Sequence, residues 1–94
     1  MMNSSAHIQT TQASRIAKRL LNHWKHKFDV VDNATQYQIM MPTATILLMP
    51  QTDELVVKIQ VKDAATDLSY LEQVVLDHLS RMAQTELSAV WQQH

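Results

Sequence analysis

Apolar residues recur at helical spacing in a stretch close to the amino end. Between Ala13 and Trp24 they follow one another at intervals of three or four residues, so they form a single stripe along a helix. Thr10 or Thr11 is placed to cap the first turn of this helix. We therefore predict a helix over residues 13–24 that buries one side and exposes the other.

A second helical pattern occupies the carboxyl-terminal third. It follows Asp63 or Thr66, either of which is a suitable capping residue, and it runs to about Ala83. Its apolar stripe consists of Leu68, Leu71, Val75, Leu79 and Met82. This segment is predicted to be a second amphipathic helix.

Between the two helical patterns the apolar period changes to two, which is the spacing of half-buried strands. Strands are predicted at residues 30–31 and 37–41. Residues 44–49 are almost all apolar, which indicates a central strand. Residues 55–61 alternate between apolar and polar side chains and give the clearest strand pattern of the chain.

Two more strands are predicted outside these stretches. Residues 6–10 suit an edge strand, and residues 87–91 suit a closing strand because they are rich in β-forming side chains. The short loops favour an antiparallel meander. The predicted fold class is α+β, a two-layer sandwich in which two helices pack on one face of a mostly antiparallel sheet of about five strands.

Length and composition narrow both the organisation and the chemistry. A chain of 94 residues has room for one domain, with a folded core expected over residues 6–91 and disorder over residues 1–5. It contains no glycine and no cysteine, so Gly-rich phosphate loops, thiolate nucleophiles, disulfides and zinc fingers are excluded. We expect a non-catalytic protein without a cofactor. The expected core anchors are Leu20, Trp24, Leu71, Leu79 and Trp91.

The sequence also carries an expectation about location. Residues 1–12 are polar and lack the features of a secretory leader, which favours the cytoplasm. The longest apolar-leaning stretch, residues 39–49, falls short of the roughly 20 residues that span a bilayer. We therefore expect no membrane partner.

Charge is distributed unevenly along the chain. All five basic residues before residue 28 lie in a part without any acid, whereas the nine acids lie in residues 28–94. Arg15, Lys18 and Arg19 project opposite the apolar stripe of the first helix, so they are candidate contacts for an anion or a partner. A weak nucleic-acid interface is the alternative function of this face, although few aromatic residues are left to stack on bases.

The five histidines supply the sharpest chemical hypothesis. His23 and His26 are three residues apart on the first helix, and His78 borders the stripe of the second. If the helices pack side by side, these three imidazoles could bind a metal ion or haem, which would suit a metal-dependent enzyme or a metal-binding protein. The alternative is that all three are ordinary hydrogen-bonded structural residues.

Several motifs together resemble a known family. They are Ala-Ser-Arg at residues 13–15, the segment 20–28, the pattern LE-x-VV-x-x-HL-x-R-x-A at residues 71–83, and the closing residues 87–91. The sequence resembles the bacterial domain-of-unknown-function family 2218 over residues 6–91. The resemblance implies a small bacterial accessory protein, with a link to iron or siderophore metabolism. His23, His26, His78 and Arg81 fall on the pattern, so Arg81 joins the candidate anion or partner contacts.

The resulting hypothesis is a protein that binds a partner or a small ligand without catalysis. We also expect a homodimer through a sheet face or edge, because the thin core leaves Met40, Leu48 and Val56 as apolar surface.

Overall fold

Six strands and two helices make up the computed structural model, which describes residues 3–33 and 35–94. Both predicted helices are confirmed, the first with the bounds expected from its apolar stripe. In chain order the elements are β1 (Asn3–Gln9), α1 (Ala13–Trp24), β2 (Asp29–Asp32), β3 (Tyr37–Met40), β4 (Ala44–Pro50), β5 (Glu54–Val61), α2 (Leu68–Ala83) and β6 (Gln92–Gln93).

The strands form one antiparallel sheet in the order β2-β3-β4-β5-β1-β6. The predicted α+β fold is confirmed, with six strands in the described residues rather than five. β1 is not an edge strand, because it pairs with β5 on one side and with β6 on the other. Residues 3–5 belong to β1, so the disorder expected over residues 1–5 is wrong for these three, whereas residues 1 and 2 lie outside the described part.

The period-two pattern sorts the sheet residues into an inner and an outer face. Ile46 and Leu48 of β4 pair with Ile59 and Val57 of β5, and all four are fully buried beneath the helices. Among residues 3–33 and 35–94, neither helix packs on the outer face. Its half-buried apolar residues, which we term the open sheet face, are Met40, Leu47, Met49 and Val56. The expectation that Leu48 is surface-exposed is therefore wrong, since alternation places Leu47 outward instead.

Both helices lie on the inner face, where they close the core. α1 buries its whole predicted stripe, and α2 buries Leu68, Leu71, Val75 and Leu79. Four of the expected anchors are in this core: Leu20, Trp24, Leu71 and Leu79. Trp91 is only half-buried and packs against the core from the carboxyl-terminal segment.

The ends of the helices differ from the sequence prediction. The residue before α1 is Gln12, whose side chain makes no capping bond; the hydroxyl of Thr10 instead accepts a bond from the Gln12 amide over 3.1 Å. Asp67, not Asp63 or Thr66, caps α2 by accepting a bond from the Tyr70 amide over 3.1 Å. The cap must stand next to the first helical residue, and Asp67 alone of the three acceptors does so.

The carboxyl-terminal segment also departs from expectation. Residues 87–91 form no strand, and β6 begins one residue later, at Gln92. Leu87 and Trp91 instead use their apolar surface to pack against the core, so β-forming side chains there do not require a ladder of hydrogen bonds.

A separate observation concerns the membrane. Within residues 3–33 and 35–94, neither helix combines the length and apolar character needed to cross a bilayer.

Candidate functional site

The packing of α1 against α2 brings two of the three candidate histidines together. The ring centroids of His23 and His78 are 5.7 Å apart, and the rings are tilted by 46°. His26 lies beyond the end of α1, which stops at Trp24, and it lines a separate cleft together with Lys25 and Lys62. Among the described residues no group of three or more histidine, aspartate or glutamate side chains is arranged to hold a metal ion. The predicted three-histidine centre is therefore wrong for the described part of the chain.

His78 is held in place by two contacts. Its Nδ1 lies 2.7 Å from the carbonyl oxygen of Val74, one turn earlier on α2. The ring also packs against the indole of Trp24, with centroids 4.8 Å apart. His78 is half-buried, whereas His23 is exposed.

The predicted basic face of α1 divides into residues with different roles. Arg15 and Lys18 are exposed to solvent. Arg19 is half-buried, and its Nη1 donates a hydrogen bond of 3.0 Å to the carbonyl oxygen of Met82. Arg19 is thus engaged by the end of α2, where a cation compensates the exposed carbonyl groups.

Arg81, the fourth candidate contact, lies apart from these three. It lines a cleft of about 490 Å³ between the end of α2 and the carboxyl-terminal segment. Asp77 and Glu86 line the same cleft, and the carbonyl groups at the helix end add partial negative charge. This mixture of charges is poorly suited to an anion.

A more basic cleft lies at the other end of α1. It has a volume of about 470 Å³ and is lined by lysines from two distant parts of the chain: Lys25 and Lys27 follow α1, and Lys62 follows β5. We term it the lysine cleft. Phe28 and Met40 supply apolar wall, and the remaining lining residues are His26, Asp29, Met41 and Pro42.

Local contacts position two of the three ammonium groups at the cleft. Lys62 Nζ donates a hydrogen bond of 3.2 Å to the carbonyl oxygen of Met41, in the turn between β3 and β4. Lys27 Nζ lies 5.5 Å from the centre of the Phe28 ring, at the distance of a cation–π contact. Each ammonium keeps donor capacity, since lysine has three N–H groups.

The lysine cleft has an excess of positive charge. Asp29 is the one carboxylate among its lining residues, against three ammonium groups. The contact between a basic side chain and a carboxylate in the described residues lies elsewhere, between His7 Nδ1 and Glu54 Oε1 over 2.8 Å. Within the described ranges, the three lysines are therefore not neutralised by a paired carboxylate.

Only part of this cleft could be predicted from the sequence. The basic excess in residues 1–27 includes Lys25 and Lys27, but a helical wheel emphasises Arg15, Lys18 and Arg19 instead. Lys62 follows a strand and joins the site only because the sheet brings the end of β5 beside the β3–β4 turn. Pairing of that kind is not readable from one sequence.

A buried polar cluster was also missed. Glu72 on α2 is 8% exposed and accepts hydrogen bonds from the Ser4 hydroxyl and from Gln93 Nε2, the latter over 3.3 Å. These contacts join α2 to β1 and β6. The buried Glu72 therefore links α2 to the two strands at this edge of the sheet.

Comparisons with known proteins place the chain in a bacterial group. No curated protein matches it. Its structure is similar to the NMR structure of PA4090 from Pseudomonas aeruginosa, with a TM-score of 0.80 and 32% sequence identity, covering 98% of this chain and 96% of that one. Residues 5–92 match the family described as "Uncharacterized protein conserved in bacteria (DUF2218)". The matched residues include the sequence motifs, both helices and most of the sheet. The chain therefore belongs to that bacterial family.

Proposed function

We propose that the protein binds a small anionic ligand in the lysine cleft and that it does so without catalysis. The observation that carries the proposal is the convergence of Lys25, Lys27 and Lys62 on one cleft of about 470 Å³. Helix stabilisation accounts for lysines that follow a helix end, but it does not account for Lys62, which reaches the cleft from β5.

The size of the electrostatic effect defines the ligand class. All three lysines are exposed, so each contact with an anion contributes about 1 kcal/mol or less. Three such contacts favour a trivalent anion over a neutral molecule of the same shape by up to roughly 100-fold. Singly charged ions gain too little from this arrangement, so a small polycarboxylate or polyphosphate is the expected ligand.

Phe28 and Met40 refine this expectation. Both are half-buried, and they give the cleft an apolar wall beside the ammonium groups. A ligand that combines negative groups with a hydrocarbon or aromatic part would use both features. The family resemblance implies a link to iron, and polycarboxylate chelates of iron(III) combine negative groups with a hydrocarbon part. Such a chelate is therefore one of the ligands that we propose for this cleft. A cytoplasmic location is part of the same proposal.

A titration with citrate followed by amide NMR tests the binding. At low salt we expect saturable shifts confined to residues 25–29, 41 and 62, and weaker binding as salt is raised. A double variant, Lys25→Gln with Lys62→Gln, should lose most of the affinity. Lys58→Gln is the matched control, because Lys58 is an exposed lysine on the outer face of β5.

Three outcomes would contradict parts of this proposal. Citrate binding that is unchanged in the double variant would exclude the lysine cleft. Shifts that cluster on Arg15 and Lys18, and that a short DNA duplex reproduces more strongly, would favour the nucleic-acid interface instead. The iron link would be contradicted if gallium(III) citrate, a diamagnetic analogue of the ferric chelate, bound no more tightly than citrate.

A second function, self-association, is favoured by the open sheet face. Met40, Leu47, Met49 and Val56 lie on adjacent strands and are only half-buried, so pairing two copies would remove apolar surface from water. Lys58 pairs across strands with Leu47 on this face, and Glu54 lies on the same face of β5, four residues before Lys58. A two-fold axis would bring the lysine of one copy toward the glutamate of the other.

Sedimentation velocity tests the dimer. We expect a dimer at tens of micromolar that Leu47→Lys converts to a monomer of 10.8 kDa. Tyr70→Lys is the control, since Tyr70 is 69% exposed and lies on α2, which packs on the opposite side of the sheet. A wild-type monomer at this concentration would contradict self-association.

A further inference from the structure

The interface between α1 and α2 contains a pair of histidines that belongs to neither the lysine cleft nor the open sheet face. His23 extends from α1 and His78 from α2, and their ring centroids are 5.7 Å apart. We propose that these two histidines form a binding site for a divalent transition-metal ion of the zinc, nickel and copper class. This inference is independent of the anion-binding proposal.

The hydrogen bond of His78 fixes which nitrogen is available. The carbonyl oxygen of Val74 can only accept a hydrogen bond, so His78 Nδ1, 2.7 Å away, must carry a proton. In the neutral ring the lone pair is then on Nε2. A backbone carbonyl bound to one imidazole nitrogen, with the other nitrogen left free, is the usual arrangement of a metal-ligating histidine.

The separation of the rings fits a shared metal ion. An imidazole nitrogen binds such a metal at about 2.0–2.1 Å, and adding the ring radius places each centroid about 3.2 Å from the ion. Two rings at the tetrahedral angle then have centroids about 5.2 Å apart. The observed separation of 5.7 Å is close to this value, and His23 is the exposed member of the pair, so binding requires its ring to move slightly toward His78.

The two rings contribute differently to the site. His78 is pre-oriented by Trp24, whose ring centroid is 4.8 Å away, and by Val74. His23 forms no hydrogen bond within the described residues, so its side chain can turn toward the ion without breaking a contact. One fixed and one adaptable ligand reduce the conformational cost of binding.

The remaining coordination positions are open. The described residues place no third histidine or carboxylate with this pair, so water must complete the shell. An incomplete ligand set predicts labile binding, and nitrogen donors favour copper, nickel and zinc over magnesium or calcium. The site is consistent with reversible uptake of an ion rather than with a permanent structural metal.

Trp24 supplies a direct optical test. Because its indole touches His78, a bound Cu²⁺ ion should quench its fluorescence by contact, and Trp91→Phe removes the other indole signal. In that background we expect saturable, equimolar quenching of the untagged protein. His23→Gln should weaken Cu²⁺ binding by about tenfold or more, since a whole ligand is lost.

Matched variants separate this site from general affinity for surface histidines. His26→Gln changes an exposed histidine next to the same helix and should leave the Cu²⁺ affinity within about twofold of the parent. His78→Gln should abolish the quenching while circular dichroism still shows the folded protein. Zn²⁺ titration followed by NMR should shift the ring protons of His23 and His78 together.

The proposal is overturned if His23→Gln binds Cu²⁺ as tightly as the parent. It is overturned equally if His26→Gln lowers the affinity as much as His23→Gln does. Should His78→Gln fail to fold, the exposed His23 variant and the Zn²⁺ shifts still decide the question.

Discussion

Arg19 on α1 donates a hydrogen bond of 3.0 Å from its guanidinium to the main-chain carbonyl oxygen of Met82 on α2. Met82 lies in the last turn of α2, where carbonyl groups have no partner within the helix. One side chain therefore supplies a missing donor, places a cation at the negative end of a helix and joins the two helices.

Replacing Arg19 by alanine should lower the free energy of unfolding by about 1–2 kcal/mol, because this charged hydrogen bond is lost. Urea unfolding followed by circular dichroism measures the change. Arg15→Ala, on the same helix but exposed, should change it by no more than about 0.5 kcal/mol. Equal effects of the two substitutions would show that the bond to Met82 contributes nothing.

Ser4→Ala should destabilise the protein by about 1–3 kcal/mol, since the buried Glu72 carboxylate would keep only the bond from Gln93. The free energy of unfolding from urea titration is again the readout. Ser5→Ala is the matched control, because the Ser5 hydroxyl lies on the exposed side of β1, 3.3 Å from His94 Nε2. A control as damaging as Ser4→Ala would contradict the role assigned to Glu72.

Asp67→Ala should reduce the free energy of unfolding by about 1 kcal/mol through loss of the α2 cap, and Asp67→Asn should recover most of it. Thr66→Ala tests the neighbouring residue that the sequence also allows as a cap. We expect a smaller effect there, because the Thr66 hydroxyl makes only a long bond of 3.5 Å to the Thr43 carbonyl oxygen. If Thr66→Ala lowered the free energy of unfolding more than Asp67→Ala does, Thr66 rather than Asp67 would be the cap of α2.

Leu79→Ala should cost about 2–5 kcal/mol, because Leu79 is fully buried and truncation would leave a cavity in the core. Val90→Ala should have almost no effect, within about 0.5 kcal/mol, since Val90 is 83% exposed. Thermal unfolding of both variants by calorimetry measures the contrast. Equal decreases in the thermal midpoints of the two variants would contradict the burial of Leu79 in the core.

The elements that could be predicted are those whose signal lies in a local repeat. The stripe from Ala13 to Trp24 fixes both the bounds of α1 and its buried side, since a period of 3.6 has one interpretation over twelve residues. The alternation over β5 works in the same way. Together these two patterns predict that the buried side of α1 packs on the buried face of the sheet.

The features that could not be predicted depend on pairing between distant segments. Leu87 to Trp91 carries β-forming side chains, yet the backbone that pairs with β1 is that of Gln92 and Gln93, whose side chains carry no strand signal. Lys62 reaches its cleft for the same reason, through strand register. The sequence pattern indicates that His23 and His78 lie close together if the helices pack side by side. It does not show that α1 ends at Trp24 and that His26 lies outside the helix.

The pairing of β1 with β6 has a mechanical consequence. The amide of Asn3 donates to the carbonyl oxygen of His94, and the amide of His94 donates to that of Asn3, so residues 3 and 94 lie side by side. The strands are antiparallel, and a force that draws residues 3 and 94 apart would load their hydrogen bonds one after another rather than all at once. Under such tension we expect unfolding to begin with the separation of β6 from β1. The hydrogen bonds of the buried Glu72 to Ser4 and Gln93 are the first side-chain contacts that oppose this separation.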